Sequence, residues 1–424
     1  MNSEKPKLLV IASPGYKSGG QMRTLRSIRE FSKYFDVYLL SPVNHFRELL
    51  EQNSFSTLTE QGAKVAGYFY NNLTAKLKFS PSFLTNSVVP LLYPNLINVR
   101  LLTKQKFDAI YVQHENPEYL LAGFILGKRL GIPRGILLQN PPFLAKELRI
   151  KNLLASHLLW RRLTSETFIE ELLSELKITS RIISWNYFFA KQYKLFLETY
   201  DLILGISKAT IIEMGEEYFS KAKYLEQGIA LDEEDLQLIQ EIRKKSKEKK
   251  EAIVFRGNPT IEKGLLDSLI AFRLILQENS NMKLYITGKS NSNIMQKATK
   301  LCRKFGIADR VIFTGYLSRL DSFQLARDAK LVLHPSHMDS YPYSVIETLY
   351  LGTPVVGYNI PALQLIHEIS QGVFLVEEGD IEALATVALQ LLEQEKIVVE
   401  PPKMDSWPQV VRKEVELLRN TILM

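Results

Sequence analysis

The chain has 424 residues, with 53 Lys and Arg against 46 Asp and Glu for a net charge of +7, and a single cysteine. That length exceeds what one hydrophobic core usually spans, so two domains are the expectation, and 46% hydrophobic with 23% charged residues excludes a disordered or fibrous chain. The lone Cys302 excludes an intrachain disulfide framework and a thiolate zinc site, fits a reducing compartment, and reads as a small core residue.

The apolar start Leu8 to Ala12 is too short for a signal-peptide core and alternates into a first buried strand, so no export is expected. Apolar stretches such as Leu120 to Gly127 fall far short of the roughly 20 residues a spanning helix needs. The expected setting is the cytoplasm, with any membrane association peripheral, on the inner face.

Strand-like runs then alternate with helical stretches: Lys7 to Ala12, Val37 to Leu40, Ala109 to Val112, Gly135 to Gln139 and Leu202 to Ile206. This order predicts a parallel sheet with crossover helices. Two interruptions stand out. Between Gln61 and Phe107 there is no Asp or Glu, while Lys64, Lys76, Lys78, Arg100, Lys104 and Lys106 are present beside Phe79, Phe83, Leu84, Val88, Val89, Leu91 and Leu92. Such a mixture suits an anionic lipid surface better than a nucleic acid, against the plainer reading of a solvated insertion with a local core. The long aromatic and basic stretch Lys146 to Glu198 carries Phe168, Leu172 and Leu176 at i, i+4, i+8 with Ile169 and Leu173 beside them, an apolar face that is more often core than anchor.

A charged segment, Asp232 to Glu251, reads as the interdomain junction. A second series of strands follows at Ala252 to Phe255, Lys283 to Thr287, Val311 to Phe313, Leu331 to His334, Pro354 to Val356 and Val373 to Val376, with helices at Lys263 to Gln277 and Ser322 to Lys330. The expected fold class is therefore α/β, two Rossmann-like doubly wound parallel sheets with the active site in the cleft between them. The expected domains are 1–230, joined by a C-terminal helix near 405–424, and 231–404.

Four segments carry candidate chemistry. Ser13 to Gly20 is a glycine-bearing strand-to-helix loop whose amides at Gly19 and Gly20 can face an anion, although such turns need glycine for geometry alone. His114, in Gln113-His114-Glu115-Asn116-Pro117, follows a strand where open α/β sheets place ligands; a structural histidine is the alternative. Phe255-Arg256-Gly257 through Glu262-Lys263-Gly264 brings two cations to a strand exit, as a diphosphate needs, or as a solvated surface turn has by chance. In Leu333 to Gly357, Asp339 and Glu347 sit eight apart across a helix start, acceptors for sugar and ribose hydroxyls beside amides that face phosphate.

Here the chain resembles the retaining glycosyltransferases of family 4, which have the GT-B fold and an E-x7-E pair within P-S-x-x-E-x-F-G and E-A-x-x-x-G-x-P-V-V. Phe313 to Leu317 is similar to that family's nucleobase loop, Glu262-Lys263-Gly264 to its E-K-G, and His114 to its N-domain histidine; Tyr200 to Ser207 and Gln227 to Ala230 are similar to segments closing its first domain. The resemblance implies a metal-independent hexosyltransferase with no cofactor, moving a hexose from a nucleotide sugar to a glycan or lipid-linked hydroxyl. It implies that Glu347 binds ribose, Asp339 the transferred sugar, Lys263 with Arg256 the diphosphate, and Tyr316 and Leu317 the base. Ser344 and Val345 would offer amides to phosphate, Gly19 and Gly20 would line the diphosphate, and His114 would touch sugar or acceptor. Three positions depart from the pattern: Asp339 replaces a glutamate, Pro342 a glycine, and Arg256 precedes Gly257 where the family's arginine follows that glycine. An NDP-sugar epimerase of the same fold, with Glu115 as an extra acid, and an inactive sugar-nucleotide-binding relative are the competing readings.

Overall fold

The computed structural model describes residues 4–15, 19–51, 55–60, 62–73, 84–225, 231, 233–245 and 248–423. The chain divides into two compact units: residues 1–144, 184–230 and 405–424 form the first, and residues 145–183 and 231–404 the second.

The first unit holds an eight-stranded sheet among its described residues: β1 (Lys7–Ile11), β2 (Asp36–Pro42), β3 (Ala63–Asn71), β4 (Ile97–Leu101), β5 (Ala109–Val112), β6 (Arg134–Leu138), β7 (Leu202–Gly205) and β8 (Ala222–Tyr224). Their spatial order is β4-β3-β2-β1-β5-β6-β7-β8. All neighbours pair in parallel except β3 and β4. Leu8 to Ile11 and Ala109 to Val112 are completely buried, as central strands covered by helices on both faces must be. The order reverses at β1 and β5, so this is the switch point where the exits of those strands part.

One sequence expectation changes here. The basic 61–107 segment contributes β3 and β4, and Val88 and Leu91 are buried in the unit's core instead of exposed; Leu84, Leu92 and Tyr93 do face solvent. Aromatic alternation along Tyr68, Phe69 and Tyr70 lets this stretch pair as a strand despite its cations, and Lys64 Nζ is neutralised by Asp36 Oδ1 at 3.2 Å. Phe79, Phe83, Lys76 and Lys78 lie outside the described residues. The C-terminal helix Trp407–Ile422 belongs to the first unit. It starts with a capping box, Ser406 with Gln409, and carries the fully buried Glu414, which takes hydrogen bonds from Arg23 (2.9 Å) and Tyr111 (2.5 Å).

Among its described residues the second unit holds six parallel strands, β9 (Lys250–Phe255), β10 (Lys283–Thr287), β11 (Val311–Gly315), β12 (Ala329–His334), β13 (Val355–Tyr358) and β14 (Val373–Val376), in the order β11-β10-β9-β12-β13-β14. That is the doubly wound order with its switch point between β9 and β12. Cys302 is buried in the helix Ser292–Lys304, a small core side chain whose thiol burial pushes up to about 12. Residues 145–183 sit with this unit, whereas the sequence suggested a boundary near residue 230 for everything before it. The physical reason is a buried polar network: Arg149 pairs with Glu378 and donates to the His337 carbonyl at 2.7 Å, Asn152 donates to Glu378 at 2.9 Å, and Ser156 to Asp267 at 3.3 Å. The segment expected as a junction likewise forms the helix Glu233–Lys245 of this unit, with Asp235 and Ile239 buried.

Candidate functional site: a buried carboxylate and guanidinium cluster at the strand exits

The loops leaving β9 and β12 meet at the switch point of the second unit. Their closeness dictates the glycine in Lys263-Gly264: φ is +79° and a Cβ there would overlap the Pro335 carbonyl oxygen, so any side chain is excluded. Ser336 Oγ donates to the Glu262 carbonyl at 3.4 Å and the His337 amide to the same oxygen at 2.9 Å, which fastens the two loops together.

Two carboxylates stand in this corner, and each is held by cations. Asp339 Oδ2 accepts from Lys263 Nζ at 2.8 Å and lies 3.3 Å from His334 Nε2, while Asp339 Oδ1 accepts from the Ser340 amide at 3.1 Å. Burial works against the charged form of Asp339, but the Lys263 ammonium and the His334 ring overrule it and hold the carboxyl well below the usual range. Glu347, on the helix Tyr343–Tyr350, accepts from Arg256 Nη2 at 2.7 Å through Oε2 and from Arg319 Nη1 at 2.8 Å through Oε1. Arg256 also donates to the Ser344 carbonyl (3.0 Å), Thr348 (3.3 Å) and Ser322 (3.2 Å), and is buried. Arg319 is clamped on its other edge by buried Asp235 at 2.7 and 2.5 Å, and both guanidiniums lie over the Phe323 ring.

The structure brings Arg256, Lys263, Asp339, Glu347 and Ser344 into this one corner. Tyr316 and Leu317 follow β11, where Tyr316 is exposed. The Val345 amide donates to the Pro342 carbonyl at 3.0 Å, so that N–H is engaged within the turn that starts the helix. Sequence reading missed three parts. Arg319 and its partner Asp235 lie 84 positions apart and form no spacing motif. His337, one position past the Pro-Ser pair, is locked between Glu378 Oε1 (2.9 Å) and Asp267 Oδ1 (3.2 Å), and Tyr358 donates to the same Asp267 oxygen at 2.7 Å. Burial opposes the charge on His337, but the two carboxylates raise it to about 9, so an imidazolium anchors the loop that carries Asp339. His157 Nε2 lies 3.3 Å from Glu262 Oε1; burial opposes the ionised Glu262, yet that contact pushes it down to about 2.

In the first unit, His114 follows β5 at the switch point. Its ring stacks on Tyr119 with centroids 4.6 Å apart, and Nδ1 accepts from the Asn116 amide at 3.1 Å. Tyr119 in turn shares a 2.7 Å hydrogen bond with Ser13 beyond β1. Glu115 accepts from the Gln139 amide (3.2 Å) and from Asn140 (3.1 Å), so it is a structural brace of the β6 exit. Gly19 and Gly20 open the helix Gly19–Phe31, where a Cβ on Gly20 would strike Gln139 Oε1; Tyr16 to Ser18 lie outside the described residues. Burial pushes Glu118, next to Tyr119, up to about 7 against a hydrogen bond from Asn71.

Both units are thus doubly wound α/β sheets with polar groups at the strand exits, and the fold is GT-B. Over 97% of this chain and 99% of the other, it is similar to HepE of Anabaena solved with UDP and glucose, at a TM-score of 0.61 and 14% identity. Residues 239–405 match the family Glycosyl transferases group 1, so the second unit carries a glycosyltransferase group 1 domain. The chain is 30% identical over 120 residues to an uncharacterised glycosyltransferase of Methanocaldococcus jannaschii, covering 28% of this chain and 30% of that protein. It is 26% identical over 129 residues to alpha-monoglucosyldiacylglycerol synthase of Streptococcus pneumoniae, covering 30% of this chain and 29% of that one. The aligned stretches thus span less than a third of either relative.

Proposed function

We propose that this protein is a retaining glycosyltransferase of family 4 type, moving a hexosyl unit from a nucleoside diphosphate sugar to a hydroxyl of a glycan or glycolipid without a metal. The observation that carries this reading is the pair Asp339 and Glu347, both buried, each held by cations at the switch point of a glycosyltransferase group 1 domain. Glu347 is the acceptor for ribose hydroxyls, and Arg256 and Arg319 fix its two oxygens in place. Asp339 is the acceptor for hydroxyls of the transferred sugar. Lys263, with its ammonium already at the loop edge, meets the charge that grows on the leaving diphosphate, helped by Arg256 and by the amide of Ser344. Tyr316 and Leu317 hold the base. In the first unit Gly19 and Gly20 supply amides to the diphosphate, and His114, its ring oriented by Tyr119 and Asn116, contacts sugar or acceptor.

The same reading sets the enzyme in the cytoplasm, peripheral to a membrane, with exposed Arg100, Lys104 and Lys106 and exposed Leu92 and Tyr93 of the 61–107 segment as an anionic-lipid contact. Among the described residues no helix is long and apolar enough to cross a membrane.

The test is a thermal-shift series of the purified protein with UDP-, GDP- and ADP-linked sugars and the free nucleotides. Selective stabilisation by one donor, followed by sugar transfer to a glycan or glycolipid, supports the reading. No shift with any donor overturns it, and binding without turnover assigns the inactive relative.

A further inference from the structure

The helix Phe168–Ile183 of the second unit leaves an unbroken apolar stripe in solvent: Phe168 is 75% exposed, Ile169 69%, Leu172 47%, Leu173 62% and Leu176 60%. Its opposite side is anchored, with Ile178 and Ile182 buried, so the stripe is a fixed feature of a packed helix. This overturns the expectation that the face is core. A row of large aliphatic side chains in water, on a helix of 16 residues spanning about 24 Å, marks an interaction surface.

The surroundings of the stripe are basic. Leaving out Arg149, buried against Glu378, the helices Glu147–Thr164, Phe168–Ile183 and Ser292–Lys304 and the turn at Glu166 together carry nine Lys and Arg against five Glu. Two of the three acids on the stripe's own helix are paired: Glu170 with Lys297 at 3.1 Å and Glu175 with Arg162 at 2.8 Å. Lys300 reaches Glu166, in the turn before the stripe, at 2.6 Å. A second copy of this chain suits the stripe less well. Five side chains fall short of the roughly 20–30 residues a side that a stable dimer engages, and two net-basic faces would repel.

The geometry points to an anionic lipid surface as the occupant of this face: the stripe Phe168, Ile169, Leu172, Leu173 and Leu176 enters the headgroup boundary, and exposed Lys177 and Lys304 meet the lipid phosphates. This surface is separate from the 61–107 segment and does not depend on which donor the enzyme takes.

The experiment is co-sedimentation of the full chain with phosphatidylcholine vesicles containing one quarter phosphatidylglycerol, against pure phosphatidylcholine. The comparison set is Ile169→Asp/Leu173→Asp, Lys300→Glu/Lys304→Glu, and Lys104→Glu/Lys106→Glu. Melting curves and the donor-induced shift verify that each variant is folded, so a failed donor reading shows separately. Binding only to the anionic vesicles, weakened at least tenfold by the stripe pair and by the Lys300/Lys304 pair and less by the Lys104/Lys106 pair, is the expected result. Absence of binding, or binding indifferent to the stripe pair, overturns the proposal. Sedimentation equilibrium showing a dimer that the stripe pair dissolves, with no vesicle binding, assigns the face to a second copy instead.

Discussion

Arg256 Nη2 donates to Glu347 Oε2 at 2.7 Å, with both side chains buried and the second Glu347 oxygen taken by Arg319. Removing the carboxylate leaves two guanidiniums without their counter-charge. Glu347→Ala is therefore expected to cost on the order of 3–5 kcal/mol of stability as well as donor binding. Glu347→Gln, which keeps the shape and one acceptor, is expected to fold better and still lose donor affinity. Urea unfolding alongside donor titration separates the two effects; wild-type donor affinity in Glu347→Gln would sink the ribose assignment.

Lys263 holds Asp339 ionised against burial. A carboxylate with a depressed folded pKa contributes stability that is present above its unfolded pKa and is lost as pH falls through the folded value. Lys263→Met is expected to raise the Asp339 pKa, moving the acid limb of the stability profile and of turnover to higher pH. Donor affinity should fall about tenfold or more, since a charge-assisted contact contributes about 1.5–3 kcal/mol. Melting temperature against pH, with and without donor, checks both statements, and unchanged profiles would refute them.

His337 is raised to about 9 by Asp267 and Glu378. A raised folded pKa stabilises fully below the unfolded value of about 6.5. That stabilisation, on the order of 3 kcal/mol, is lost as pH climbs through about 9. The wild type is thus expected to weaken between those pH values, and His337→Gln to be less stable at pH 6 but flatter across the window. Because the His337 loop carries Asp339, this variant should also lower turnover more than it raises KM for the donor. A wild-type profile with no decline above pH 6.5 would contradict the buried imidazolium.

His114 stacks on Tyr119 with one ring nitrogen already accepting from Asn116. His114→Ala is expected to reduce turnover at least tenfold with donor affinity held within about twofold, in keeping with a positioned polar group that acts at the reacting centre. Tyr119→Phe, which removes the hydrogen bond to Ser13 and keeps the stacked ring, is expected to have a smaller effect. Steady-state kinetics on both variants decides this, and a fully active His114→Ala would remove the residue from the mechanism.

The buried central strands were legible because Leu8 to Ile11, Ala109 to Val112 and Leu331 to Leu333 are apolar runs that can only be core. The strands β3 and β4 were not, because Lys64, Tyr68 and Tyr70 in β3 and Arg100 in β4 mask the strand pattern, and the counter-charge for Lys64 comes from Asp36 on the neighbouring strand. The placement of residues 145–183 escaped as well. It rests on Arg149 and Glu378, 229 positions apart, and no local pattern announces such a pair. At the site, Asp339 and Glu347 stood out through spacing on one helix start. Arg319, Asp235 and His337 did not, since each acts through a partner from a distant strand or helix.

Glu414, seated among Arg23 and Tyr111, makes the helix Trp407–Ile422 an interior part of a unit whose first strand begins at Lys7. During synthesis the second unit has all its strands once Val376 has emerged, whereas the first must wait for the helix that follows. Until then Arg23 and the β5 tyrosine lack their carboxylate, and an incomplete chain presents to chaperones a sheet still without its last helix, while the second unit already has all its strands.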